Sequence, residues 1–215
     1  MKVRLTPFVG LASLLLLVAL PASAQILYEN GPINGETDAW MINFGFVVEN
    51  SFTMSTGPSQ VTGVSFGAWL PGGDVLDSAY VLISSEAYGG TVYFGQQVNF
   101  VQSGCFINNY GYDVCTETST FSGPTLNNGS YQLTLGLAVV NDGDPVYWDE
   151  NSGVGCQSPG CPSQASQLSV GSIPSESFSV LGTASGTGSV PEPGSLLLFG
   201  SGLIGSLGFL RRKFF

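Results

Sequence analysis

Histidine is missing from all 215 residues, and only five residues are cationic: Lys2, Arg4, Arg211, Arg212 and Lys213. All five lie at the two ends. From Gln25 to Val190 there is no Lys, Arg or His, against fourteen acids from Glu29 to Glu176. That stretch can form no side-chain salt bridge. It has nothing with which to neutralise phosphates, so nucleic acid is excluded as a partner. Anionic membrane surfaces and acidic polymers are poor partners for the same reason. Without His, the Ser-His-Asp and Cys-His arrangements fail; without Lys, so do Schiff bases and Ser-Lys pairs. A zinc site would need all four cysteines. Carboxylate chemistry, divalent cations, neutral glycans and cationic surfaces remain.

The N-terminus is where cations and apolar residues meet. Lys2 and Arg4 precede an apolar run from Phe8 to Leu20, which ends at the small residues Ala22-Ser23-Ala24. This is the order of a secretory signal peptide over residues 1–24, read by Sec-type export machinery and signal peptidase. The mature chain is expected to begin at Gln25, in an oxidising, extracytoplasmic space. Disulfides are permitted there. Four cysteines allow three pairings. Cys105 and Cys115 bracket Phe106 to Tyr112, while Cys156 and Cys161 bracket the turn sequence Gln157-Ser158-Pro159-Gly160. Two local bridges are therefore expected.

Thirty glycines, twelve prolines and short alternating segments indicate an all-β domain over residues 25–181. Trp40, Ile42, Phe44, Phe46 and Val48 alternate over one stretch, and Val64, Phe66, Ala68 and Leu70 over another. Further strands are expected at Ala79–Ser84, Thr91–Val101, Val114–Phe121, Tyr131–Val139, Val146–Trp148 and Phe178–Leu181. Turn sequences separate them, among them Pro71-Gly72-Gly73-Asp74 and Asn127-Asn128-Gly129. Period-two alternation means one buried face per strand, which suits a single jelly-roll-like β-sandwich. A β-helix is the other candidate, but no fixed repeat is visible. Gly, Ser and Thr dominate residues 182–190, which read as a flexible tether.

The C-terminus begins with Pro191-Glu192-Pro193-Gly194. An uncharged run from Ser195 to Leu210 follows, and Arg211-Arg212-Lys213-Phe214-Phe215 ends the chain. The prolines stop any upstream element. The apolar run is slightly shorter than the roughly 20 residues a bilayer usually needs, a mismatch that snorkelling or thinning accommodates. The basic stop places the C-terminus in the cytoplasm. In this order, residues 191–215 resemble the PEP-CTERM sorting signal of exported bacterial proteins. The resemblance implies a transient inner-membrane anchor, transfer to the membrane enzyme exosortase, and a final place at the cell surface or in an extracellular biofilm matrix. Exopolysaccharide is a partner consistent with that route.

Inside the body, Asn141-Asp142-Gly143-Asp144-Pro145-Val146-Tyr147-Trp148-Asp149-Glu150-Asn151-Ser152-Gly153 stands out. Together with Asn30-Gly31-Pro32-Ile33-Asn34-Gly35 and Ile173-Pro174-Ser175-Glu176-Ser177-Phe178, it resembles the body of a recurrent PEP-CTERM group of unassigned function. Three readings compete. The segment is a strand edge with Trp148 in the core and the acids solvated. Or Asp142, Asp144, Asp149 and Glu150 hold calcium with oxygen ligands, though not at EF-hand spacing. Or Tyr147 or Trp148 stacks on a sugar ring while Asp or Asn grips its hydroxyls. Trp40 opens a strand and is expected in the core. Trp69 has the parity opposite to Phe66, so it is either a glycan platform or covered by a loop. No convergent catalytic set is visible, and an enzyme is not expected. A non-catalytic surface or matrix role is the leading reading; a carbohydrate-binding or carbohydrate-acting module is the alternative.

Overall fold

The computed structural model describes residues 24–55, 57–151 and 164–184. Among these, fourteen strands form two antiparallel sheets, and no helix is long and apolar enough to cross a membrane. The first sheet contains β1 (Gln25–Glu29), β2 (Ala39–Met41), β4 (Ser59–Leu70), β7 (Val101–Ile107), β8 (Asp113–Thr120), β9 (Thr125–Leu126), β11 (Tyr147–Asp149) and β14 (Phe178–Ala184). The second runs in the order β13 (Gly171–Ile173), β12 (Ala165–Gln167), β3 (Val47–Met54), β10 (Gly129–Val140), β5 (Leu76–Glu86), β6 (Gly89–Asn99).

The twelve-residue strand β4 organises the first sheet. Along one edge it pairs with β14 and then, at Ala68 and Trp69, with β11. Along the other it pairs with β9 and β8. Val64, Phe66, Ala68 and Leu70 point into the core, as their alternation predicts. The strand is polar outside over its first half, at Gln60, Thr62 and Ser65. From Phe66 to Leu70 both faces are buried, so something covers the outer face there.

The sheets meet over one apolar cluster. Its centre is a chain of rings: Phe66 lies 6.0 Å from Trp148, Trp148 5.6 Å from Phe178, and Phe178 6.4 Å from Phe52 across the interior. Each such ring contributes about 1.5–3 kcal/mol by leaving water, plus edge-to-face contacts.

Three sequence expectations change. The strand expected over Thr91–Val101 ends at Asn99 as β6, and Val101 opens β7 in the other sheet. The alternating run from Trp40 to Val48 is not one strand. Phe44 takes a positive φ of 53°, the Phe46 N–H donates to the Asn43 carbonyl, and the chain passes from β2 in one sheet to β3 in the other. Phe44 is consequently exposed. The last strand also runs to Ala184, so Gly182, Thr183 and Ala184, assigned to the tether by composition, pair with β4. Residues 1–23 of the expected signal peptide, the rest of the tether, the sorting signal, Cys156 and Cys161 lie outside the described residues.

Candidate functional site

The outer face of β4 is covered where β14 and β11 meet end to end on its edge. There the Ser177 N–H donates to the Asp149 carbonyl at 2.8 Å. Gly67 of β4 lies beneath this junction, and a Cβ on it would come within 2.8 Å of Ser177, Asp149 and Ile33. Only glycine lets the three segments close over the strand.

Asp149 is the hub of that junction. Its carboxylate accepts from the Trp69 indole (2.6 Å), the Gly35 and Asn34 N–H groups (3.0 Å each) and the Ser177 hydroxyl (3.2 Å). Burial pushes its pKa above the usual range, against those four bonds, which pull it down. Around it the three motif segments converge through amides: Asn30 Nδ2 donates to Ser175 Oγ and the Glu176 carbonyl, and Asn50 Oδ1 accepts from the Glu176 N–H. Asn151 Nδ2 donates to the Asn30 carbonyl.

Held by Asp149, Trp69 forms the floor of an aromatic cleft. Tyr110 stacks on it with centroids 5.5 Å apart and planes at 24°, Tyr112 lies 5.9 Å away, and Tyr147 meets Tyr112 edge-on at 5.7 Å. Thr37, Asp38 and Ala39 complete the walls of a cavity of about 400 Å³. That is within the usual range for small-ligand sites. Tyr110 is 59 % exposed and Trp69 only 5 %, so the alternatives for Trp69 resolve towards a loop-covered ring whose cover is itself aromatic.

The covering loop is braced. Cys105 and Cys115 form a disulfide across its base, as expected. Asn108 Oδ1 accepts from the N–H groups of both Tyr110 and Tyr112 at 3.0 Å, and Gly111 turns the chain with a φ of 85°. The bridge therefore ties the tyrosine loop to the core, where Cys115 is fully buried.

The structure divides the other expected site residues. Tyr147 lines the cleft, but Trp148 is 0 % exposed and its indole donates to the Ser177 carbonyl at 2.8 Å. Trp148 is core, so it is no sugar platform. Asp149 and Glu150 do not join Asp142 and Asp144. Glu150 is buried and accepts from the Trp40 indole at 2.7 Å, and burial first, then Asp38 and Asp149, raise its pKa. Trp40 packs against the core as expected. What joins Asp142 and Asp144 is Asp74: one oxygen from each lies within 4.8 Å of the others. Burial, then the carboxylates of Asp142, Asp144 and Asp113, push Asp74 up to about 6.

Asp38, Tyr110, Tyr112 and Asp74 were not singled out by sequence as site residues. The Tyr110-Gly111-Tyr112 triplet between paired cysteines was the available signal. Asp74 had none, because its partners arrive from a loop more than sixty positions away, tied by the Val75 N–H to Asn141 Oδ1.

Neither a curated protein nor a solved structure matches the chain. Residues 189–213 match the family model described as the PEP-CTERM protein-sorting motif. They include Pro191, Glu192, Pro193, Arg211, Arg212 and Lys213. The chain carries a PEP-CTERM protein-sorting motif at its C-terminus, and the motif implies an exported protein sorted to the cell surface and processed by exosortase.

Proposed function

We propose that this is a cell-surface or extracellular-matrix protein with a non-catalytic, adhesive role. Its jelly-roll-like β-sandwich holds neutral polysaccharide in the cleft of Trp69, Tyr110, Tyr112 and Tyr147. In this reading the apolar run from Ser195 to Leu210 anchors the chain in the inner membrane only until exosortase acts, with Arg211, Arg212 and Lys213 on the cytoplasmic side.

The cleft carries the proposal. An exposed tyrosine face stacks on the C–H face of a sugar ring, and the Asp38 carboxylate and Thr37 hydroxyl stand at the wall to bind its hydroxyls. An acidic body without cations repels charged polymers of its own sign, which favours a neutral glycan. The non-catalytic reading rests on the lining. Asp38 is the one carboxylate among the cleft residues, whereas glycoside hydrolysis takes two acids on opposite sides of the bond.

Affinity electrophoresis of the full chain through gels containing neutral polysaccharides tests this. Retardation is expected, with about tenfold weakening in Tyr110→Ala for a lost stacking contact of about 1.4 kcal/mol. The variant should stay folded and lose only its stacking on Trp69, about 0.5–1.5 kcal/mol. Equal retardation of parent and variant, or none with any neutral polysaccharide, overturns the proposal.

A further inference from the structure

The turn Pro71 to Val75 carries the chain from β4 to β5, and residues 141–146 carry it from β10 to β11. Both cross between the sheets. They lie side by side, tied by the bond from the Val75 N–H to Asn141 Oδ1 at 3.0 Å. Beside that bond Asp74, Asp142 and Asp144 bring one carboxylate oxygen each to within 4.8 Å of the others.

Acidic residues gather on many surfaces without purpose. Asp74 sets this group apart. It is 5 % exposed, and its Oδ2 is buried with no hydrogen-bond donor in reach. Solvation cannot satisfy that oxygen, and no Lys, Arg or His exists between Gln25 and Val190 to do so. The facing groups are acids as well, for Asp113 stands nearby with its Oδ2 accepting from the Gly73 N–H at 2.9 Å. Such a buried oxygen costs about 1–3 kcal/mol unless a partner arrives. The backbone keeps the group together: the Asp144 N–H donates to Asp142 Oδ1 at 3.3 Å, and Asn43 Nδ2 holds the Asp144 carbonyl at 2.8 Å.

We propose that Asp74, Asp142 and Asp144 bind a divalent cation, calcium by preference, which clamps the two inter-sheet crossovers together. A hard cation takes carboxylate oxygens, and opposite ligands on calcium stand about 4.6–5.2 Å apart. The three oxygens fit inside that span without moving apart. Asp142 and Asp144 are exposed, so water completes the six to eight ligands calcium requires. Magnesium would demand a tighter octahedron and binds less well. An open site with three carboxylates belongs with the extracellular calcium modules, whose Kd values are roughly 10⁻⁴–10⁻³ M. That affinity suits an exported protein. The site is independent of the cleft, although Gln102 Nε2 lies between them, donating to the Asp74 carbonyl and to Cys115 Sγ.

The full chain in mild detergent, stripped with EDTA, is titrated with calcium chloride alone by calorimetry, and its melting is followed in parallel. One saturable site is expected, with the midpoint raised by about 3–10 °C at about 10 mM calcium, and a weaker response to magnesium. Asp74→Asn should lose calcium binding at least tenfold while melting no lower than the parent in EDTA, because it removes a repelling charge. If Asp74→Asn does not fold, the exposed pair Asp142→Asn with Asp144→Asn decides, with the same loss expected. Glu36→Gln, an exposed acid elsewhere, should bind as the parent does. Absence of saturable binding up to about 10 mM, or binding that survives these substitutions at unchanged affinity, overturns the site.

Discussion

Glu117 shows in one residue what a body without cations must do with its acids. It points inward from β8, is 0 % exposed, and neither carboxylate oxygen has a partner. Burial alone raises its pKa to about 7. The sign follows from linkage. Below about pH 4.5 the carboxyl is protonated folded or unfolded; above it, the unfolded chain ionises while the folded one holds its proton. Stability therefore falls as pH rises from about 4.5 to 7, by on the order of 3 kcal/mol from this group, and levels off above. Glu117→Met keeps the volume and removes the titration. Urea unfolding should find it more stabilising at pH 8 than at pH 4, with a difference on the order of 3 kcal/mol; equal effects at both pH values would refute this account. Glu49, Asp149, Glu150 and Glu176 are also raised, burial leading in each. The absence of counter-charge made the direction legible in the sequence. Which acids would be buried was not, because that depends on strand parity and on what covers each face.

Asp149 behaves differently because it is fully employed. Asp149→Ala would leave an indole, two backbone N–H groups and a hydroxyl without their acceptor, at roughly 3–5 kcal/mol. Denaturant titration measures this, and a loss below about 1 kcal/mol would show that water replaces the carboxylate. Sequence read this residue as a solvated acid or a calcium ligand. Its burial arises from a junction of three segments that only the fold assembles.

At the scale of elements, the strands legible in advance were long or bounded by turns: β4, β5, most of β6, β8, β10, β11 and β14. β2 and β3 merged in the reading because their alternation continues across a sheet crossing that only a positive φ at Phe44 reveals. The short strands β9, β12 and β13 carry too few residues for a period. The loop between β7 and β8 was seen as a disulfide loop, and its use as an aromatic cover was not. Breaking the bridge tests that use. In Cys105→Ser with Cys115→Ser, loss of the closed loop should cost about 2–3 kcal/mol. Fluorescence of Trp69 should become quenchable by acrylamide as Tyr110 leaves it. Unchanged quenching with the lower stability would mean that Asn108 alone holds the tyrosines.

At the scale of the molecule, charge and address are arranged together. The five cations sit in the two end segments, and the body between them is purely acidic. An acidic body stays clear of anionic lipid and like-charged polymers. A signal peptide and a membrane-anchored sorting signal would need cations only at those ends, which accords with the proposed route. The PEP-CTERM motif at residues 189–213 implies a sorted protein, and the most direct test is the mass of the released product. Intact-mass and terminal-peptide analysis of the protein outside the cell should find a chain that starts at Gln25 and lacks Arg211 to Phe215. Release should fail when Pro191, Glu192 and Pro193 are all changed to Ala. A released chain that still ends at Phe215, or equal release without the Pro-Glu-Pro motif, would contradict the account.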